Sequence, residues 1–413
     1  MKESYPMLSV EEARRRILEH FHPLEPERIP IIEALGRVLA EDVVAEMDIP
    51  PLPNTAMDGY AIRIADTADA SPERPARLKV VADLAAGYVL EDPIQPGTAV
   101  RIMTGAPIPP GAEAVAPFEN VETHGDEILI FKPYALWKNI RHAGEDVKAG
   151  QVVLRKGAVL RPQEIGMLAA LGHPTALVHR RPRVAVLSTG DEVIDVTAPW
   201  QPGKIRDANS YTVSALILKY DGIPVRLGIA PDTIEALTAK IREALAQGAD
   251  LILTSGGVSM GDFDVVKKVL AAEGEMHFWR ARMKPGKPLA FGEIQGVPLL
   301  GLPGNPVSST ISFELFARPA ILTMLGKTKL IKPAIDAILV DPIKRKDNRR
   351  HYVRVWLEEK DGQTYAHLTG DQGSGILLSM VQADGLAIIP EDLNSTPSNF
   401  PVKVMILDWP EVA

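Results

Sequence analysis

The densest concentration of chemistry-bearing residues lies between Asp250 and Ser309. An apolar run, Leu251-Ile252-Leu253-Thr254, ends in Ser255-Gly256-Gly257-Val258-Ser259-Met260-Gly261-Asp262. Downstream come Met283-Lys284-Pro285-Gly286-Lys287-Pro288 and then Gly301-Leu302-Pro303-Gly304-Asn305-Pro306. Strands that end in Gly/Ser loops and open helices present unpaired backbone N–H groups, which suit phosphate or another oxyanion. Two lysines and two carboxylates, Asp262 and Asp264, accompany these loops. Together they suggest a phosphorylated ligand handled with a divalent metal. No Gly-Lys-Ser/Thr follows the glycines, so this is not a P-loop, and the dinucleotide G-x-G-x-x-G is absent here too.

Other clusters repeat the theme. Ser188-Thr189-Gly190-Asp191-Glu192 follows the apolar run 184–187 and offers two adjacent carboxylates able to bind Mg²⁺ or orient a ligand; a capped turn is the alternative. Asp207, in Ile205-Arg206-Asp207-Ala208-Asn209, reads on its own as a helix N-cap. The small-residue run from Ser255 is costly unless backbone must approach something closely. Lys284 and Lys287 sit on a stiff Pro/Gly loop fit for oxyanion contact, whereas Pro303-Gly304-Asn305-Pro306 also reads as a plain turn. Three more charged or hydroxylated turns occur earlier, at Met57-Asp58-Gly59-Tyr60, Arg101-Ile102-Met103-Thr104-Gly105-Ala106 and Arg141-His142-Ala143-Gly144-Glu145-Asp146, each a surface loop by default. The histidines show no metal-ligand spacing.

These loops must be held by regular elements. Ser9 with Glu12 is a capping box that predicts a helix to about His20, and a second short helix is expected over 32–39. Between 42 and 161 the signals are short strands (77–81, 99–103, 114–118, 128–131) broken by Pro and Gly, before a helix over 162–171. From Arg183 strand and helix alternate: strands at 184–187, 225–229, 251–254 and 276–280, and helices at 209–220, after Asp232 as N-cap, from Val265 and after Asn305. That rhythm predicts a doubly wound parallel α/β sheet with ligands at the carboxyl ends of its strands, where the Gly loops fall. Past a linker at 327–333, strands at 337–340, 352–357, 386–389 and 402–407 predict a small β-barrel or sandwich. The expected domains are 1–45 with 145–180 (helical), 46–144 (inserted β module), 181–326 (α/β) and 334–413 (β-barrel).

At 413 residues the chain exceeds one ordinary core. It contains no cysteine, which excludes disulfides, thiolate nucleophiles and Cys-held metal, so any sulfur for a soft metal must come from the ligand. A net charge of −8 argues against a nucleic-acid partner, and the basic runs at 14–16 and 345–350 read as solvated faces. No apolar stretch nears the roughly 20 residues that span a bilayer, and residues 1–10 lack a signal pattern, so no membrane partner and a cytoplasmic location are expected.

Taken together, Met57–Tyr60, 101–106, 141–146, 188–192, Ile229-Ala230-Pro231-Asp232, 255–264, 284–288 and 303–308 resemble, in order, the MoeA-type molybdopterin molybdenumtransferases, related to the E domain of gephyrin. The C-terminal part is similar less sharply, through Arg349-x-x-Tyr352-x-Arg354 and Gln372-Gly373-Ser374-Gly375, and Arg280 stands where the family is expected to carry Lys. The resemblance implies an enzyme that inserts molybdate at the dithiolene of adenylylated molybdopterin, with Mg²⁺-dependent release of AMP. The dithiolene would supply the sulfur that this chain lacks. Implied catalytic residues are Asp58, Thr104, Asp146, Glu192, Asp264 and Lys284, with Asp58, Glu192, Asp262 and Asp264 toward the metal. Implied substrate contacts are Ser188, Thr189, Gly190, Asp232, Ser255, Gly256, Gly257, Ser259, Gly261, Arg280, Gly286, Lys287, Pro303, Gly304, Asn305, Arg349, Arg354 and Ser374. It also implies a homodimer whose sites join the α/β domain of one subunit to the β module of the other, bringing Asp58, Thr104 and Asp146 to the 188–264 face. Two alternatives stay open: a molybdopterin adenylyltransferase, whose stand-alone forms lack the extra domains, and a non-catalytic scaffold that binds a peptide partner.

Overall fold

The computed structural model describes residues 7–256, 266, 268–270, 274–344, 347–393 and 395–408. They form two compact units, one holding the chain up to Arg28 and from Leu177 onward, the other Ile29–Ala176.

The first unit is built on a seven-stranded sheet, in the order Met7–Leu8, Glu275–Ala281, Pro288–Ile294, Val297–Leu302, Leu251–Ser255, Arg183–Thr189 and Ile223–Ala230. Six strands run in one direction and Pro288–Ile294 runs against them, hairpinned to both neighbours. The central strands Arg183–Thr189 and Leu251–Ser255 are almost wholly buried, as continuous apolar runs covered on both faces should be. One face packs on a core of Val184, Val186, Leu253, Leu300, Ile311 and Phe316 that also receives Val10, Ala13 and Ile17 of the N-terminal helix Val10–Leu18. The other packs Ala185, Leu187, Ile252 and Leu299 against Leu237 and Ile241 of the helix Ile234–Ala246. The N-terminal helix therefore belongs with the α/β core. Of its expected capping box the N-cap half is present, the Glu12 N–H donating to Ser9 Oγ at 3.1 Å, while the Glu12 carboxylate accepts from Arg15 and Arg16.

Helix Ala208–Lys219 follows Arg183–Thr189 and is capped by Asp207, whose carboxylate accepts from the Ser210 N–H. The helix after the next strand begins one residue later than its sequence suggests. Thr233, extended at φ −120°, ψ 149°, accepts from the Ala236 N–H and is the N-cap, which leaves Asp232 outside the helix. Helix Pro306–Ser312 opens directly after Asn305 and continues through a π turn, Phe313–Ala317, into Arg318–Met324.

The C-terminal strands close into a five-stranded barrel, Arg350–Lys360, Gln363–Leu368, Ala334–Leu339, Phe400–Ile406 and Gly385–Ile389, the last pairing back to the first. Its core is Val353, Val355, Ala366, Ala387, Val404 and their neighbours. The stub Met283–Lys284 pairs in parallel with Arg350 and His351, so the loop after Ala281 is stitched to the barrel.

The second unit contains a six-stranded sheet ordered Ala114–Pro117, Gly59–Ile62, Thr98–Ile102, Ala76–Leu84, Glu127–Ile130 and Val121–His124. The expected helix over 32–39 is only a 3₁₀ turn, Ile31–Ala34, because Gly36 turns the chain at φ +78°. Helix Pro162–Ala170 is present, with Glu164 accepting from the Arg161 N–H. Among the described residues no helix is long and apolar enough to cross a membrane.

Candidate functional site

At the carboxyl ends of the central strands lies a cleft of about 740 Å³. Its walls come from the predicted turns: Ser188, Thr189, Gly190 and Glu192 after one strand, Ser255 and Gly256 after the next, and Pro303, Gly304 and Asn305 after the third. Asp232 and Pro288 complete the predicted part of the lining. The crossover rule for doubly wound sheets puts a ligand at this edge, where successive strands lead to helices on opposite faces.

Positive φ angles, and at Gly256 close packing on backbone, call for glycine in these loops. Gly256 sits at φ +96°, and a Cβ there would stand 2.7 Å from the Thr189 carbonyl oxygen. At Gly190, φ +140°, a Cβ would meet the Glu192 carboxylate at 2.7 Å. Gly286, φ +95°, lies against Ser312 Oγ and the Met283 methyl. The 284–288 loop reaches the cleft wall through Pro288, while Lys284 is exposed on the stub paired with the barrel and Lys287 is half-buried. Arg280 faces Pro288 across the hairpin register, at the same corner.

Polarity in the cleft is set by side chains that sequence reasoning left out of the site. Asp207 is 6% exposed, and its Oδ1 accepts both the Ser188 hydroxyl at 2.9 Å and the Ser210 N–H at 3.0 Å. The N-cap reading was right, and the cap faces the cleft. Asn209 donates from Nδ2 to Ser255 Oγ and to the Gly304 carbonyl, both at 2.7 Å. Its signal was the Asp-Ala-Asn triplet opening a helix, with Asp207 19 residues after Ser188. Gly375 joins the wall from the barrel domain, whose Ser374 Oγ accepts from Asn305 Nδ2 at 3.0 Å.

One edge of the cleft is acidic. The Asp232 N–H donates to Asp191 Oδ1 at 3.4 Å. Partial burial pushes the Asp232 carboxyl above the ordinary aspartate range, Asp191 and Glu192 push it further by their charge, and the Asp191 backbone N–H pulls it back. Among the described residues no three metal-ligating side chains converge on one point. Gly257, Ser259, Gly261, Asp262 and Asp264 lie outside the described residues.

Of the expected contacts, Arg280, Gly286, Lys287, Arg349, Arg354 and Ser374 are not part of the cleft lining. Arg354 is 1% exposed inside the barrel domain and spends its guanidinium on Ser379 Oγ and on the carbonyls of Asp371, Gln372 and Gly373. It shapes the loop that presents Ser374 and Gly375. Arg349 is paired with Asp347 at 2.6 Å.

In the other unit, Asp58 Oδ1 accepts from both the N–H and the hydroxyl of Thr104, each at 2.7 Å, so these two predicted residues do meet. The two hydrogen bonds hold the Asp58 carboxyl below its ordinary range, helped by Arg101. Gly59 follows because a Cβ there would collide with the Ala116 carbonyl of the neighbouring strand. Asp146 is exposed on its turn, with its N–H donating to the Ile49 carbonyl at 3.0 Å.

Fold and cleft define a multidomain α/β protein that offers bare backbone, hydroxyls and an acidic edge to a ligand at the ends of parallel strands. Comparison with known proteins narrows this. Residues 8–172 match the MoeA N-terminal region (domain I and II), 185–323 a probable molybdopterin binding domain, and 336–407 the MoeA C-terminal region (domain IV). Molybdopterin molybdenumtransferase 2 of Mycobacterium tuberculosis is 38% identical over 94% of this chain and 96% of its own length. The molybdopterin molybdenumtransferase of Haemophilus influenzae is 37% identical over 94% and 95%. A crystal structure of the molybdopterin biosynthesis MoeA protein from Pyrococcus horikoshii superposes with a TM-score of 0.86 at 33% identity, covering 98% of this chain and all of that one. The chain belongs to the MoeA family of molybdopterin molybdenumtransferases.

Proposed function

We propose that this chain inserts molybdate into adenylylated molybdopterin, releasing AMP and yielding molybdenum cofactor. Its family makes it a transferase of molybdenum cofactor biosynthesis. The observation that carries the finer reading is the cleft itself: hydroxyls and turn backbone at Ser255, Gly256 and Gly304 on one side, carboxylates at Glu192 and Asp232 on the other. The first set suits phosphate and oxyanion oxygens, and the second suits a cation that accompanies them.

The described residues fit Mg²⁺ shared with ligand phosphates rather than a closed protein cage. Mg²⁺ keeps waters and phosphate oxygens as ligands and needs only one or two carboxylates. Crowding of Asp191, Glu192 and Asp232, which already raises the Asp232 carboxyl, is what such a cation would relieve. Glu192 and Asp232 would hold it, and it would supply charge neutralisation at the phosphoanhydride. The protein's own contribution is placement. Gly190 and Gly256 let the phosphates approach backbone, Ser255 orients them, and Arg280, Lys284 and Lys287 at the neighbouring corner attract molybdate. In a homodimer, the partner subunit's Asp58, Thr104 and Asp146 would complete the site.

The test is a turnover assay with purified chain, adenylylated molybdopterin, molybdate and Mg²⁺. Molybdate-dependent release of AMP is the expected result. Consumption of ATP with unadenylylated molybdopterin, and no AMP release, would mark an adenylyltransferase instead.

A further inference from the structure

Two serines line the cleft on adjacent strand ends, and their hydrogen bonds give them opposite polarities. Ser188 Oγ spends its only proton on the buried Asp207 carboxylate. Toward a ligand it can offer lone pairs alone. Ser255 Oγ is in the reverse position, because it accepts a proton from Asn209 Nδ2 at 2.7 Å. The orientation of that amide is fixed chemically. The same Nδ2 lies 2.7 Å from the Gly304 carbonyl oxygen, which can only accept, so turning the amide over would set oxygen against oxygen. Both protons of the amide are thus committed, one to each of two glycine loops.

We infer that Asn209 fixes Ser255 as a hydrogen-bond donor to the ligand, so that the anionic phosphoryl group seats at Ser255, Gly256 and Gly304, while Ser188 and Asp207 form the acceptor end that takes ligand hydroxyl or amine protons. Asn209 is a positioning residue, acting through Ser255 and through the Gly304 loop. With an acceptor lone pair already engaged and no side-chain acceptor for its proton recorded among the described residues, the Ser255 hydroxyl turns its proton to the cleft it lines. A preset donor costs no reorganisation when an anion arrives, whereas a freely rotating hydroxyl does. The inference deepens the proposed function and rests on it for the identity of the ligand.

The experiment is calorimetric titration of the full chain with AMP and with adenosine, which differ by the phosphate, using wild type, Ser255→Ala, Ser255→Thr and Asn209→Asp. Loss of one hydrogen bond to a charged group corresponds to about a ten- to hundredfold loss of affinity. Ser255→Ala should lose that factor for AMP and stay within about twofold for adenosine, by the same reasoning. Ser255→Thr keeps the hydroxyl and should restore AMP affinity. Asn209→Asp should lose at least as much as Ser255→Ala for AMP, since a carboxylate would draw the Ser255 proton to itself and repel the phosphate. Melting temperatures run alongside identify a variant that fails to fold, in which case Ser255→Ala against Ser255→Thr decides alone. Equal losses for AMP and adenosine, or AMP binding unchanged in both Ser255→Ala and Asn209→Asp, overturn the inference while leaving the proposed function standing. A wild-type chain that binds no AMP overturns both.

Discussion

Replacing Gly256 by alanine isolates the requirement that the cleft floor be bare backbone. The residue sits at φ +96°, and an added Cβ would lie 2.7 Å from the Thr189 carbonyl oxygen and 2.9 Å from Thr189 Oγ1. Neither obstacle can swing away, because Thr189 ends a central strand paired on both sides and is 5% exposed. The sparsely populated backbone geometry costs about 1–3 kcal/mol. Overpacking against fixed backbone costs about 1–3 kcal/mol more. Gly256→Ala should therefore lose about 2–6 kcal/mol of stability in the urea transition of the unit that carries the cleft, followed by circular dichroism. Gly304→Ala is the matched control. Its Cβ would touch only the Gly256 Cα at 3.6 Å, the residue is exposed, and no left-handed backbone is involved. The control should stay within about 0.5 kcal/mol, as surface substitutions do. Similar stabilities for the two variants would refute the close-approach argument.

Asp232→Asn should stabilise the fold at neutral pH while lowering turnover. A carboxyl raised in the folded state favours folding when protonated, so its contribution is full below the ordinary value of 3.8 and is lost as pH rises through the raised value. The gain from Asp232→Asn, read by thermal melts across pH 3–8, should grow with pH; a gain confined to acid would contradict the assignment. Thr104→Val removes one of the two donors that depress Asp58, so the Asp58 carboxyl, followed by NMR, should titrate closer to 3.8 than in wild type. The depressed carboxyl favours folding above its unfolded value and loses that contribution as pH falls, and the variant should show less of this acid-side loss. Mixing Asp58→Asn with Glu192→Gln should recover part of the turnover that each has lost, if one subunit's β module serves the other's cleft; a mixture as inactive as its components would count against shared sites.

The sequence made the cleft legible where backbone chemistry is local. The apolar runs ending in Ser188 and Ser255 were readable as buried strands, and each Gly loop fell at a strand end because only such loops let the chain turn into a helix there. The Ser9 and Asp207 caps were readable for the same reason. The strand Pro288–Ile294 was not. Its residues alternate no more clearly than those of a loop, and its direction depends on pairing with Glu275–Ala281 and Val297–Leu302, which single-chain periodicity does not encode. Thr233 displaced Asp232 as the helix cap because either side chain satisfies the local rule and tertiary context chose between them. Asn209 escaped notice since its role lies in partners 46 and 95 positions away. Arg354 was readable as a conspicuous arginine but not as a buried one, because the carbonyls that take its protons converge only when the 371–373 loop folds over it.

A crystal structure of this chain grown with AMP, molybdate and Mg²⁺ tests the central claim most directly. The account predicts phosphate oxygens within hydrogen-bond distance of Ser255 Oγ and of the turn backbone at Gly256 and Gly304, with the cation toward Glu192 and Asp232. Nucleotide density elsewhere on the molecule, with this cleft holding only water, would contradict it.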